Sequence, residues 1–297
     1  MPMPRAWIAL AATLIAITAL FGAPVDYPPL LHDALAAVLL IVGALVAWFA
    51  GARFIAGTDG PRRMAACAGA LLVAPFLLFS LVPGAGPPRV QPLQVNELRF
   101  LLLAIDAILV AVGLFVLKEA LSGTDGRLHA TLGAAAALLA CPLYVQFALT
   151  QRIDYVAEEL GWSWTATVSG ALHELTPLDA LSMSALFLAG ALTYVATLAF
   201  AQALARAGWI GARTALVFQA VGATGLAFLV ARGFSYPGVH AAFSHWYTVP
   251  GFVAGIPAVP WMPPCAVGVL LLRRCSREHA ALAISPPARP AARSATT

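Results

Sequence analysis

Apolar residues in this chain come in long unbroken runs rather than in alternation. Uncharged or nearly uncharged stretches lie at about 6–23, 34–52, 64–84, 98–117, 129–150, 179–205, 212–231 and 248–272. Each is close to the 17 to 25 residues that a helix needs to cross a bilayer core of roughly 30 Å. Runs such as ALAAVLLIVGALVAWFAG at 34–51 lack the two-residue period of a barrel strand, and helices satisfy their own backbone in lipid. The expected fold is therefore all-α: a polytopic transmembrane bundle of about eight spans. Residues 1–275 form a single transmembrane domain, with an outer amphipathic loop at about 151–178 and a disordered cytoplasmic tail at 276–297.

Between the runs, the polar segments alternate in character. Thirteen of the seventeen basic residues fall on the side that holds the N-terminus, among them Arg53, Arg62, Arg63, Arg213, Arg273, Arg274 and Arg277. Acidic residues such as Asp26, Asp33, Glu97, Asp154 and Glu174 gather on the other side. Basic residues concentrate in cytoplasmic loops, so the chain is expected in a cell inner membrane with both termini cytoplasmic. Residues 1–23 read as an anchored first helix, because Phe21 spoils the small-residue cleavage pattern of a secretory signal.

Composition agrees with this assignment. The 297 residues are 61% hydrophobic and 10% charged, with mean hydropathy +0.86, whereas a soluble domain is about one-quarter charged. The net charge of +4 reflects topology and contact with the lipid bilayer. No basic recognition motif points to nucleic acid. Cys67, Cys141, Cys265 and Cys275 lie in or beside spans, poorly placed for a disulfide, and they show no CxxC or zinc spacing.

An internal similarity adds detail. AGTDGPRRMAACAGALLVAPF at 56–76 matches SGTDGRLHATLGAAAALLACP at 122–142, with Pro75 corresponding to Pro142 after a one-residue shift. The repeated unit is a helix, a cytoplasmic turn and a returning helix, which predicts hairpins of spans 2–3 and 4–5, and a fainter copy at 6–7 with glycines at 208 and 211. Within the turns, Gly57 and Gly123 suit left-handed caps. Thr58 or Asp59, and Thr124 or Asp125, suit the next helix start.

Three features carry chemistry. Asp106, in RFLLLAIDAILVAVG, lies about eight residues from the outer end of its span, roughly 12 Å into the hydrocarbon. An ionised carboxylate is costly there, and such residues generally face a partner or a cavity. Tyr144, Gln146 and Gln219 are its expected polar neighbours, and the aligned position in the preceding hairpin is Leu40. His32, Asp33, His173, His240 and His245 share the outer side and form the candidate metal or haem ligands, although their spacing is not diagnostic. The eighth run contains Pro250, Pro257, Pro260, Pro263 and Pro264. Interior prolines predict a helix broken in its outer half, with Pro257 and Pro260 beside a cavity.

Other chemistry is not encoded in a familiar form. The paired glutamates of AEELGW at 157–162 resemble the first motif of the prenyl-protein type of intramembrane protease. Ser163 stands where that motif has arginine, and no Phe-x-x-x-His follows at a suitable distance, so that activity is not implied. Nucleophile-elbow, phosphate-loop and dinucleotide patterns are also absent from the sequence. The preferred expectation is a permease or channel for a small solute, proton or cation, with a cavity open to the outer face. The alternatives are a membrane enzyme or electron-transfer subunit with outer-face metal or haem, and a non-catalytic subunit bound to a membrane-protein partner.

Overall fold

The computed structural model describes residues 5–56, 60–86, 91–159, 177–232, 254 and 259–284. Among them the chain forms α1 (Ala6–Gly22), α2 (Pro29–Ala50), α3 (Gly60–Leu78), α4 (Leu93–Ala120), α5 (Arg127–Glu159), α6 (Pro177–Arg206), α7 (Ala212–Arg232) and α8 (Met262–Ile284), and no strand. Short 3-10 turns at Ala52–Ile55 and Phe79–Leu81 close α2 and α3. Helices α2 to α7 are each long and apolar enough to cross a membrane, and α1 is a shorter apolar helix of 17 residues. The protein is thus an all-helical, multi-pass membrane protein with six such helices among the described residues.

The eighth span differs from expectation. Its helix begins at Met262 rather than near 248 and continues to Ile284, into the stretch assigned to the tail. The apolar part, Met262–Leu272, rises about 16 Å, roughly half a hydrocarbon core. Prolines explain why a helix can start at Met262. The first helical N–H groups have no partner inside their own helix, but Pro263 and Pro264 occupy the first turn and have no N–H. The next amide, Cys265 N, donates to the Trp261 carbonyl at 3.2 Å. Of the other residues of the proposed break, Pro250 and Pro257 lie outside the described residues, while Pro260 is buried beside Trp261.

Packing centres on α3, α4, α5, α6 and α8. Helices α4, α5 and α6 pack along one another in sequence order, and α3 lies between α4 and α8. Small residues set the closest approaches. A Cβ added to Gly268 would stand 2.8 Å from the Gly69 carbonyl oxygen, and one added to Gly69 would stand 3.0 Å from that of Gly268. The α3 and α8 backbones therefore touch directly. Where α2 ends, Gly51 adopts φ 153°, with its missing side chain facing the Leu272 carbonyl, and Ser276 Oγ donates to Ala50 O at 2.6 Å. Gly126 faces Ala203 O of α6 in the same way.

Helix α2 is peripheral. Its buried positions are Ala36, Gly43, Ala47 and Ala50, while Val38, Ile41, Leu45, Trp48 and Phe49 are exposed, as for a helix with one small-residue seam and a wide lipid face. It lies mainly on α1 and only lightly on α3. Helices α4 and α5 pack on each other, as do α6 and α7, but α5 packs on α6 at least as closely, and α2 touches α3 only lightly, so the helices do not separate into the hairpins that the repeat predicts.

The matched turns also differ in detail from expectation. Gly57 to Asp59 lie outside the described residues. In the second turn Gly123 is not left-handed, and Leu121 closes α4 at φ −95°. Thr124 shapes the turn instead of capping α5: its Oγ1 accepts from the Gly126 amide at 3.3 Å, ahead of the helix start at Arg127, and donates to the Leu121 carbonyl at 2.8 Å. Of the stretch expected to form an outer amphipathic loop, residues 151–159 continue α5 to Glu159, and residues 160–176 lie outside the described residues.

The contact between α3 and α8 yields a direct test. Gly268→Val forces the two helices apart, and overpacking of this kind costs about 1–3 kcal/mol. The expected result is a lower thermal unfolding midpoint in detergent than for wild type, with a smaller loss for Gly123→Ala, where an added Cβ meets open space.

Candidate functional site

Asp106 sits midway along α4, one of the helices packed on both flanks. Its exposure is 0%, and neither carboxylate oxygen has a hydrogen-bond partner among the described residues. Residues seven apart on a helix share a face, so Asp106 lies in line with Arg99 and Gly113. Gly113 is packed against Leu71 and Leu72 of α3. Arg99 Nη2 donates to the Gly86 carbonyl at 2.6 Å, and its guanidinium lies 5.2 Å from the Phe21 ring centroid. These neighbours place the Asp106 face toward α3 and the end of α1.

Arg99 is itself only 3% exposed and belongs to a clasp at the end of the bundle where α1 passes into α2. There, Gly84 N donates to Leu20 O at 2.7 Å, Gly86 N to Phe21 O at 2.9 Å and Val25 N to Gly84 O at 3.2 Å. The turn between α1 and α2 is thereby sewn to the turn that follows α3. Arg99 holds the stitch from α4, two helical turns or about 10 Å above Asp106. Arg99 did not stand out in the sequence. Its seven-residue spacing from Asp106 was the signal that both belong to one buried face.

Tyr144 lies beside an adjoining face of α4, the one that carries Ala107, Val110, Ala111 and Leu114. Its hydroxyl is 3.4 Å from Thr193 Oγ1 on α6, and its ring meets Trp261 edge-on at 5.2 Å between centroids. These groups border a void with Ala107, Val110, Ala111 and Cys141, of about 10 Å³, room for about one water molecule. A second void of about 10 Å³ lies between Leu114, Thr197, Phe200, Phe218, Pro263 and Pro264. Asp106 lines neither. Ala107, its neighbour in sequence, borders the first void, so Asp106 and Tyr144 share a depth while facing different sides of α4.

The remaining expected neighbours lie elsewhere. Gln219 Nε2 donates to Gln202 Oε1 at 2.9 Å, tying α7 to α6, a pairing suited to a lipid environment where polar side chains join helices. Gln146 is half-buried on α5, and its carbonyl accepts from Thr150 Oγ1 at 2.9 Å. The structure thus brings Tyr144 together with Thr193 and Trp261 and pairs Gln219 with Gln202, without drawing these groups onto the Asp106 carboxyl.

Of the candidate metal ligands, His32 and Asp33 open α2. Their Nδ1 and Oδ1 atoms are 3.3 Å apart, and the Asp33 side chain is largely exposed. His173, His240 and His245 lie outside the described residues. Among the described residues no group of three or more His, Cys, Asp or Glu side chains has a metal-binding arrangement.

No protein-family model, curated protein or solved structure matches this chain, so the chemistry of Asp106 and its surroundings is the ground on which function is argued.

Proposed function

We propose that this protein is a permease-like component of a cell inner membrane, with both termini cytoplasmic, in which Asp106 takes up and releases a proton or small cation. The observation that carries this reading is a fully buried carboxyl, at mid-depth in α4, whose two oxygens have no partner among the described residues. A structural acid at such depth is ordinarily tied to a donor, because an unpaired buried polar group costs about 1–3 kcal/mol. An acid left without one is suited to exchanging a proton or ion.

Two surrounding features support the same role. Arg99 stands two turns outward on the same face and is held by Gly86 rather than by the acid, leaving the carboxyl available. On an adjoining face of α4, Tyr144, Thr193 and Trp261 border room for about one water at the same depth. The break before Met262 brings irregular backbone to this level, as at substrate sites of membrane transporters.

Flux provides the first test. In proteoliposomes loaded with a pH-sensitive dye and driven by a potassium diffusion potential, wild type is expected to move protons, Asp106→Asn to abolish the movement and Asp106→Glu to retain part of it. Asn at this position conducting as well as Asp would overturn the proposal.

Stability provides the second. Because the carboxyl has no partner to lose, Asp106→Leu is expected to hold or raise the thermal midpoint, by the equivalent of up to about 1–3 kcal/mol, while abolishing flux. A marked fall in the midpoint would instead show that the acid serves packing.

A further inference from the structure

The arginine-rich end of the bundle is organised by α8. Arg274 Nε pairs with Glu278 at 2.6 Å, and Arg62 Nε, from the start of α3, reaches the same carboxylate at 3.4 Å. The Arg274 guanidinium also lies 4.2 Å from the Trp209 ring centroid, in the turn between α6 and α7. One acid thus serves two arginines. Arg273 and Arg277 have no ion pair among the described residues, although they stand four apart on one helix face, where like charges repel.

Arg273 is nonetheless held in place. Its guanidinium lies 4.0 Å from the centroid of Trp7 at the start of α1, and its Nε is buried without a hydrogen-bond partner. Cation–π contact holds the guanidinium in place, and with Nε buried the terminal Nη1–Nη2 edge is the one left for a ligand. That edge matches phosphate oxygens in pairs. Arg277 is exposed one turn further along, so an anion bridging the two would relieve their repulsion. Below Trp7 in the membrane direction, Ile8 and Ile15 are 52% and 70% exposed. Their seven-residue spacing puts them on one lipid-facing track of α1.

We infer that Trp7, Arg273 and Arg277 form a site for the phosphodiester headgroup of an anionic phospholipid, with an acyl chain lying along Ile8 and Ile15. Charge selects the headgroup, the indole marks the interfacial depth, and the apolar track favours a lipid over a free anion. Such a site would fasten the first helix to the last at the membrane surface, since Trp7 and Arg273 come from α1 and α8.

Native mass spectrometry of the full chain, exchanged from detergent against phosphatidylglycerol, phosphatidylcholine or inorganic phosphate, tests this assignment. Wild type is expected to retain phosphatidylglycerol over phosphatidylcholine, with inorganic phosphate a poor competitor. Combined Arg273→Gln and Arg277→Gln should weaken retention about tenfold or more. Trp7→Leu, which keeps every charge, should weaken it as well. The control pair Arg206→Gln and Arg213→Gln removes two exposed arginines from the same end and should leave retention unchanged.

Equal loss in the control pair would overturn the site in favour of general surface charge. Effective competition by inorganic phosphate would overturn it in favour of a free-anion site, and equal retention of both lipids would overturn it outright. If the double variant fails to fold, Arg277→Gln alone decides the matter, because that side chain is exposed. Unchanged phosphatidylglycerol retention would then reject the proposal.

Discussion

The direct backbone contact between Gly69 of α3 and Gly268 of α8 is the constraint on which the rest of the bundle depends. In lipid there is no water to drive helices together, so association comes from close packing and a few polar contacts. With no side chain at either glycine, α8 sinks against α3 until each residue meets the other's carbonyl oxygen. That depth brings Leu272 under Gly51, sets Ser276 against the Ala50 carbonyl and delivers Glu278 to Arg62. One close crossing thereby fixes where α2 ends, where α3 begins and where the arginines of α8 lie.

The opposite end is held by different means. Backbone hydrogen bonds join the turn between α1 and α2 to the turn after α3, and Arg99 adds a charged donor from α4. Phe21 packs at 4.7 Å on Phe79, which meets Phe76 at 5.8 Å, so the stitched turns rest on an aromatic cluster. Asp106 lies between the two fastened ends, on the face of α4 that both help to cover. Its isolation is a product of these neighbours: Arg99, the nearest cation along that face, is committed to Gly86.

Legibility in the sequence followed the physical origin of each feature. Long apolar runs are written residue by residue, so the positions of α2 to α7 could be read directly, and the basic side chains do gather where α1 and α3 begin. Asp106 stood out because an acid in such a run has no local explanation. The partners of Tyr144 and Gln219 were not legible, because Thr193, Trp261 and Gln202 meet them only after three helices have chosen their faces. Gly123 was read as a left-handed cap from a composition that fits one. Gly126, three residues on, carries the steric requirement, and that requirement comes from Ala203 on another helix.

The prolines of the last apolar run show how one signal can hold two meanings. Counted within a 25-residue span, Pro263 and Pro264 look like defects in a continuous helix. Placed in the first turn of α8, they leave out two N–H groups that would otherwise have no partner inside the helix, and Cys265 N finds the Trp261 carbonyl. The same residues that would interrupt a continuous helix therefore suit one that starts at Met262. Its start lies beside Trp261 and Tyr144, at the level of Ala107 and so of Asp106. A helix that begins there presents the positive end of its dipole to the middle of the bundle. That end meets Tyr144 rather than the face of α4 that carries Asp106, and a helix dipole acts mainly within its first turn, so the start of the last helix and the buried acid are separate features of the same level.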